Sequence, residues 1–180
     1  VSHGIDNHLG TRNSPPLFNL AWHNTFFWDG GVHDLDLFSI SPIENPIEMD
    51  ESMPNVIKKL EADPSYSPMY KAAFGTSEIN GARTFQALSQ FMTMLVSASS
   101  KYDKYIRGED GTTLTTEELA GLQLVKQKCQ SCHKGDLFSD FTFRNNGVGN
   151  GVDKGRALIT LNPEDNYKFK VPSLRNLAYT

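Results

Sequence analysis

Two cysteines and a histidine stand together at Cys129-Gln-Ser-Cys132-His133. Thiols three positions apart with an imidazole directly after them form the attachment signature of a c-type haem. Each thiol can add across a porphyrin vinyl group to give a thioether, and the adjacent imidazole can ligate the iron. These are the only two cysteines in the chain. A Cys-x-x-Cys pair also serves as a redox dithiol or as half of a zinc site. Zinc takes about four ligands, and the remaining histidines, His3, His8, His23 and His33, lie far upstream without ligand spacing. A thioredoxin-type dithiol follows a strand in a βαβ pattern, and none is visible. The spacing therefore favours haem c, held through Cys129 and Cys132 with His133 as iron ligand.

The rest of the composition narrows the setting. The chain has 180 residues, room for one domain or two small ones. Net charge is −4 and mean hydropathy −0.42, with no basic cluster, so nucleic acid is excluded as an expected partner. The longest apolar-rich stretch, Phe91 to Val96, is too short to span a membrane. Haem c is attached outside the bacterial cytoplasm, so the motif implies a periplasmic protein with a leader upstream of Val1.

Helices must position the motif. Residues 1–46, rich in Gly, Pro, Asn and aromatics, read as long ordered loops with short helical pieces. A helix is expected from Ser52, with Pro54 in its first turn, to Ala62. A second runs from Met69 to Phe74 and stops at Gly75. The clearest spans about Glu78 to Ser99, where Ile79, Ala82, Phe85, Leu88, Met92 and Leu95 form one apolar stripe. Lys101 to Arg107 reads as a short continuation. Gly108-Glu-Asp-Gly-Thr-Thr113 is a polar joint, which divides the chain into domains at 1–107 and 108–180. Thr115-Thr-Glu-Glu118 is a capping box. The helix it opens carries Leu119, Leu122, Val125, Cys129 and Cys132 on nearly one face. No strand alternation is convincing. The expected fold is mainly α, cytochrome c-like helical domains with long ordered loops.

Taken in order, Gly10-Thr-Arg-Asn-Ser-Pro15, Phe18-Asn-Leu-Ala21, Phe26-Phe-Trp-Asp-Gly30, Asn45-Pro-Ile-Glu-Met49, Lys101-Tyr-Asp-Lys-Tyr105, the Cys129 to His133 motif, Asp153-Lys-Gly-Arg156 and Phe169-Lys-Val-Pro-Ser-Leu-Arg-Asn176 resemble the bacterial di-haem cytochrome c peroxidases. That family includes the related di-haem enzyme that matures methylamine dehydrogenase. The resemblance implies two facing cytochrome c domains. The N-terminal one carries a peroxidatic haem. The C-terminal one carries a haem that receives electrons from a small periplasmic donor, a cytochrome c or a cupredoxin, and Cys129, Cys132 and His133 match it. Hydrogen peroxide is the implied substrate and a homodimer the implied full-length assembly. The first Cys-x-x-Cys-His would precede Val1, and the methionine ligating the second iron would follow Thr180. The chain thus reads as roughly the middle half of an enzyme, inactive as a peroxidase on its own.

The resemblance also implies roles. Glu48 matches a glutamate over the peroxidatic haem, which moves a proton between the peroxide oxygens. Trp28 matches a tryptophan lying between the haems, and an indole there serves packing as well; Phe27 beside it reads as packing. Asn13 and Thr180 match positions that help bind calcium, whose oxygen ligands both can supply. His3 precedes a glycine, as does the family's removable distal haem ligand, and His8 is its rival. His23 and His33 read as structural or exposed. Gly31 stands where many members carry arginine. Met49, Met53, Met69, Met92 and Met94 read as packing rather than iron ligands. Two other readings stay open: a non-enzymatic c-type electron carrier, and a di-haem enzyme oxidising a protein substrate.

Overall fold

The structure is a computed structural model that describes residues 2–109, 111–148 and 151–179. By contacts the chain groups into two units. One comprises residues 1–20 and 32–94, the other 21–31 and 95–180. The segment Ala21–Gly31 therefore belongs with the C-terminal unit, and the Gly108–Thr113 joint falls inside that unit.

The first unit opens with loops and a single 3-10 turn at Ile5–Asn7, followed by two short helices, α1 (Leu35–Phe38) and α2 (Ile40–Glu44). The longer α3 (Met53–Ala62) has Pro54 in its first turn, where the missing N–H costs nothing. Helix α4 (Tyr66–Phe74) ends at Gly75, whose φ of +75° is the left-handed cap that glycine adopts without strain. It starts earlier than expected, at Tyr66.

Helix α5 spans Gly81–Met94, shorter than the expected Glu78–Ser99. Asn80 starts it: its side-chain Oδ1 accepts the Arg83 N–H at 3.0 Å and its carbonyl accepts the Thr84 N–H at 3.0 Å. Its far end stops because the Ser-rich Ser97–Ser100 run competes for backbone hydrogen bonds and Ser100 caps the next helix in an extended conformation. The buried face is also rotated from the expected one. Ala82 is exposed, whereas Thr84 and Ser89 are buried with Met92. Their hydroxyls are satisfied: Thr84 Oγ1 lies 2.7 Å from Tyr70 Oη and donates to Asn80 O at 2.8 Å, and Ser89 Oγ bonds the Asp36 carboxylate. Helix α1 packs on α5, and α3 on α4 and α5. Leu20, Phe38, Ile43, Tyr70, Ile79 and Met92 form the apolar centre.

The second unit contains α6 (Lys101–Ile106), a separate helix rather than a continuation of α5, with its own capping box between Ser100 and Asp103. Helix α7 (Thr116–Lys128) has the expected box. Thr115 Oγ1 accepts the Glu118 N–H at 3.2 Å, and Glu118 Oε2 accepts the Thr115 N–H at 2.7 Å. Two-residue strands β1 (Phe143–Arg144) and β2 (Phe169–Lys170) pair antiparallel, Phe143 opposite Lys170. Between them lies the short α8 (Ala157–Thr160). The Ala21–Gly31 segment joins this ladder, since Trp28 O accepts the Lys170 N–H at 2.7 Å. Arg156 Nη1 donates to Asp29 O at 3.0 Å while its guanidinium lies 3.8 Å over the Phe143 ring. Gly30, at φ +73°, permits this approach, because a Cβ there would fall 2.4 Å from the Phe143 ring. The fold is mainly α with extensive loops.

Candidate functional site

Helix α7 delivers the cysteine pair at its C-terminal end. Cys129 is the C-cap, and Cys132 lies beyond the helix, not on its face as expected. One further turn carries the chain on: the N–H groups of Cys132 and His133 both bond Cys129 O, at 3.1 and 2.8 Å. Both thiols are free and half-buried. Leu122 and Val125 are also half-buried, and no residue of α7 is fully buried. An apolar helix face of this kind, next to two free thiols, suits a covalently held porphyrin.

His133 is oriented by carbonyls. Its Nδ1 lies 3.1 Å from Phe138 O and 3.1 Å from Pro172 O. A carbonyl only accepts, so Nδ1 carries the hydrogen, which leaves Nε2 as the nitrogen that could ligate a metal. A metal-ligating histidine is commonly oriented in this way, its other ring N–H held by a backbone carbonyl. Among the described residues no three His, Cys, Asp or Glu side chains converge as ligands for one ion, so a zinc cluster at this motif lacks partners. The donor set fits haem c.

Trp28 lies in the same unit as this motif and is half-buried, with its carbonyl in the β2 ladder. Phe27, just before it, takes a left-handed φ of +62°. Nearby, Lys170 is buried. Its Nζ donates to Thr25 O at 2.9 Å and lies 3.4 Å from His23 Nδ1. Burial lowers the Lys170 ammonium to a pKa of about 8, against the attraction of Asp29. Burial first, and the Lys170 charge second, lower His23 to about 4, so at neutral pH it is an uncharged ring tilted at 51° to Phe141, with the ring centroids 4.5 Å apart. Thr25 Oγ1 is buried without a hydrogen-bond partner. The sequence reading missed this Lys170–His23–Thr25 cluster. Its members lie about 145 positions apart, although Thr25 adjoins Phe26-Phe-Trp-Asp-Gly30 and Lys170 lies in Phe169–Asn176, two of the family-like stretches.

Glu48 and His3 lie in the other unit, on two loops joined through the backbone. Asn45 holds Glu48 from two sides: its Nδ2 donates to Glu48 Oε1 at 2.8 Å, and its carbonyl accepts the Glu48 N–H at 2.9 Å. Glu48 is half-buried. Its carbonyl accepts the Ile5 N–H at 2.6 Å. Gly4 makes that approach feasible, since a Cβ there would lie 2.0 Å from Ile47 O and 2.6 Å from Glu48 O. The His3 loop is thus bonded to the Glu48 loop. His3 itself is exposed, with Nδ1 2.7 Å from Asn7 Oδ1.

Asn13 is exposed, and Thr180 lies outside the described residues. His8 and His33 are exposed. Gly31 donates its N–H to Asp29 Oδ1 at 3.0 Å, and a Cβ there would sit 3.1 Å from the Ile159 side chain. Met92 is buried in the first unit's centre, whereas Met49, Met69 and Met94 are exposed.

The chain is similar to known proteins. The di-haem cytochrome c peroxidase family model matches residues 1–111. The methylamine utilization protein MauG of Methylorubrum extorquens is 36% identical over 173 residues, covering 92% of this chain and 48% of that protein. The cytochrome c551 peroxidase of Nitrosomonas europaea is 34% identical over 177 residues, covering 95% of this chain and 53% of that one. Among solved structures, a MauG-like protein associated with microbial copper homeostasis superposes with a TM-score of 0.89 at 30% identity, covering 99% of this chain and 59% of that one. The chain spans about half the length of the curated relatives it matches. With a family match over residues 1–111 and relatives above 30% identity across nearly all of its length, the chain belongs to the di-haem cytochrome c peroxidase family.

Proposed function

We propose that the protein containing this chain reduces hydrogen peroxide to water in the periplasm: one peroxide, two electrons and two protons give two waters. The electrons come from a small cytochrome c or cupredoxin. The observation that carries the reading is the setting of His133 beside two free thiols, with Nδ1 bonded to Phe138 O and Pro172 O. Haem c, when bound through Cys129 and Cys132, supplies one-electron chemistry. His133 would hold the iron through Nε2, and it keeps its own orientation through Nδ1.

The other residues divide the remaining work. Trp28 relays electrons onward from the haem-bearing unit, its backbone fixed by β2. Glu48 moves the proton: Asn45 occupies Oε1, so Oε2 is the oxygen that takes a proton and gives it back. His3 is proposed as a removable iron ligand on the loop bonded to Glu48. Asn13 and Thr180 are proposed to contribute to a calcium site. The full-length assembly is proposed as a homodimer.

In the full-length protein, Glu48→Gln is expected to lower peroxide turnover at least about a hundredfold while haem content stays constant. Undiminished turnover would remove Glu48 from the mechanism. The 36% identity to a MauG protein favours a second reading, oxidation of a protein substrate. Stoichiometry separates the two: two donor molecules oxidised per peroxide supports the peroxidase, and peroxide consumption without donor oxidation supports the second reading.

A further inference from the structure

The two carbonyls that receive the His133 Nδ1–H belong to chain segments bridged by the Arg175 guanidinium, which a buried ion pair with Asp103 anchors. The side chains of Arg175 and Asp103 are 6% and 7% exposed. Arg175 Nη1 and Nη2 donate to the two Asp103 oxygens at 2.9 and 2.6 Å, a bidentate pair. The same guanidinium donates through Nε and Nη2 to Asp136 O, at 2.8 and 2.5 Å. Asp103 also accepts from the Ser100 N–H and hydroxyl, at 2.9 and 2.6 Å, which ties it into the first turn of α6.

Asp136 stands two residues before Phe138, and Arg175 three residues after Pro172. The guanidinium therefore spans the two segments that supply the acceptors. Ser173 reinforces it, donating to Leu137 O at 2.6 Å and accepting the Arg175 N–H at 3.1 Å. Stability alone is a poor reason for such a pair. Desolvating two charges commonly offsets their attraction, and a well-packed apolar pair serves a fold as well or better.

We infer that Asp103 and Arg175 are positioning residues for His133: they fix the spacing of the Phe138 and Pro172 carbonyls, and so the donor strength of Nε2 toward iron. The inference rests on the haem reading above. A firmly accepted Nδ1–H leaves the imidazole electron-rich and Nε2 a stronger donor, which favours ferric over ferrous iron. Loosening the carbonyls weakens that donation and raises the reduction potential.

The test uses the full-length, haem-loaded protein and its Asp103→Leu/Arg175→Met and Arg175→Lys variants. The pyridine haemochrome spectrum is read first. Wild-type protein without covalent haem overturns the haem reading, and this inference with it. With haem present, the expected result for the apolar pair is unchanged or higher thermal stability, a higher potential for the Cys129/Cys132 haem, and at least about tenfold faster exchange of the His133 Nδ1 proton by NMR. Arg175→Lys keeps the charge but not the fork geometry, and is expected to raise the potential too. If the apolar pair fails to fold, Arg175→Lys decides. Wild-type potential and exchange in a folded, haem-bearing variant would overturn the inference.

Discussion

The Nδ1 atom of His133 lies 3.1 Å from the carbonyl oxygen of Pro172, 39 positions further along the chain. The orientation of the histidine is therefore a tertiary property, set by a segment remote from the Cys-x-x-Cys-His motif. In the full-length protein, replacing both Cys129 and Cys132 by alanine is expected to remove one of the two covalently held haems, read as pyridine haemochrome after acid–acetone extraction. Undiminished haem content would mean that another group holds this haem.

Arg175→Ala leaves Asp103 buried without its partner. A loss of about 3–5 kcal/mol is expected in urea or guanidinium unfolding. The Arg175 hydrogen bonds hold the Asp103 carboxyl well below the usual carboxylate range. The folded state thus binds that proton less readily than the unfolded state does. The pair's contribution is fully present above about pH 4 and is lost as pH falls below that. Wild type should show this acid decline and Arg175→Ala should show less of it.

Lys170 has a consequence of the same sign on the alkaline side. Its pKa of about 8 in the fold lies below the ordinary lysine value near 10.4, so the unfolded state binds more protons between those limits. Stability is expected to rise with pH from about 8 to about 10 and then level off. Lys170→Met should abolish the rise. A rise of equal size in the variant would assign it elsewhere.

His23 behaves alike in acid. Its folded value of about 4 lies below the ordinary 6.5, so stability should fall as pH drops from about 6.5 toward 4. His23→Phe keeps an aromatic ring against Phe141 and is expected to remove that slope from denaturation midpoints measured across the window.

Thr25→Val should raise stability by up to about 1 kcal/mol, since it removes a buried hydroxyl without a partner at nearly constant shape. Gly4→Ala should do the reverse, because its Cβ would meet the backbone of Ile47 and Glu48 rather than a movable side chain. Calorimetric Tm values test both, with Gly75→Ala as reference. At Gly75 nothing lies within 4 Å, and the left-handed φ alone costs roughly 1–2 kcal/mol.

What could be read from the sequence was local. The Thr115–Glu118 box and the Gly75 stop each depend on residues within one turn of each other, and both stand in the structure as their spacing implies. The end of α5 was misread because apolar periodicity continues to Leu95 while the serines beyond favour capping. Thr84 and Ser89 were passed over because small polar residues reveal burial only through their partners, Tyr70 and Asp36. Arg175 and Asp103 were in view as parts of family-like stretches, but their pairing spans 72 positions and leaves no local signature.

The Ala21–Gly31 segment contacts the C-terminal unit although residues 32–94 intervene. A gene fragment starting at Leu95 would therefore encode the haem motif but not its whole fold. It would lack the Trp28 carbonyl for the Lys170 N–H, the Asp29 carbonyl for Arg156 and the Thr25 carbonyl for the Lys170 ammonium. Grafting the unit that carries the Cys129–His133 motif into another protein takes two separate stretches of coding sequence, or a permuted chain that splices residues 21–31 onto the rest.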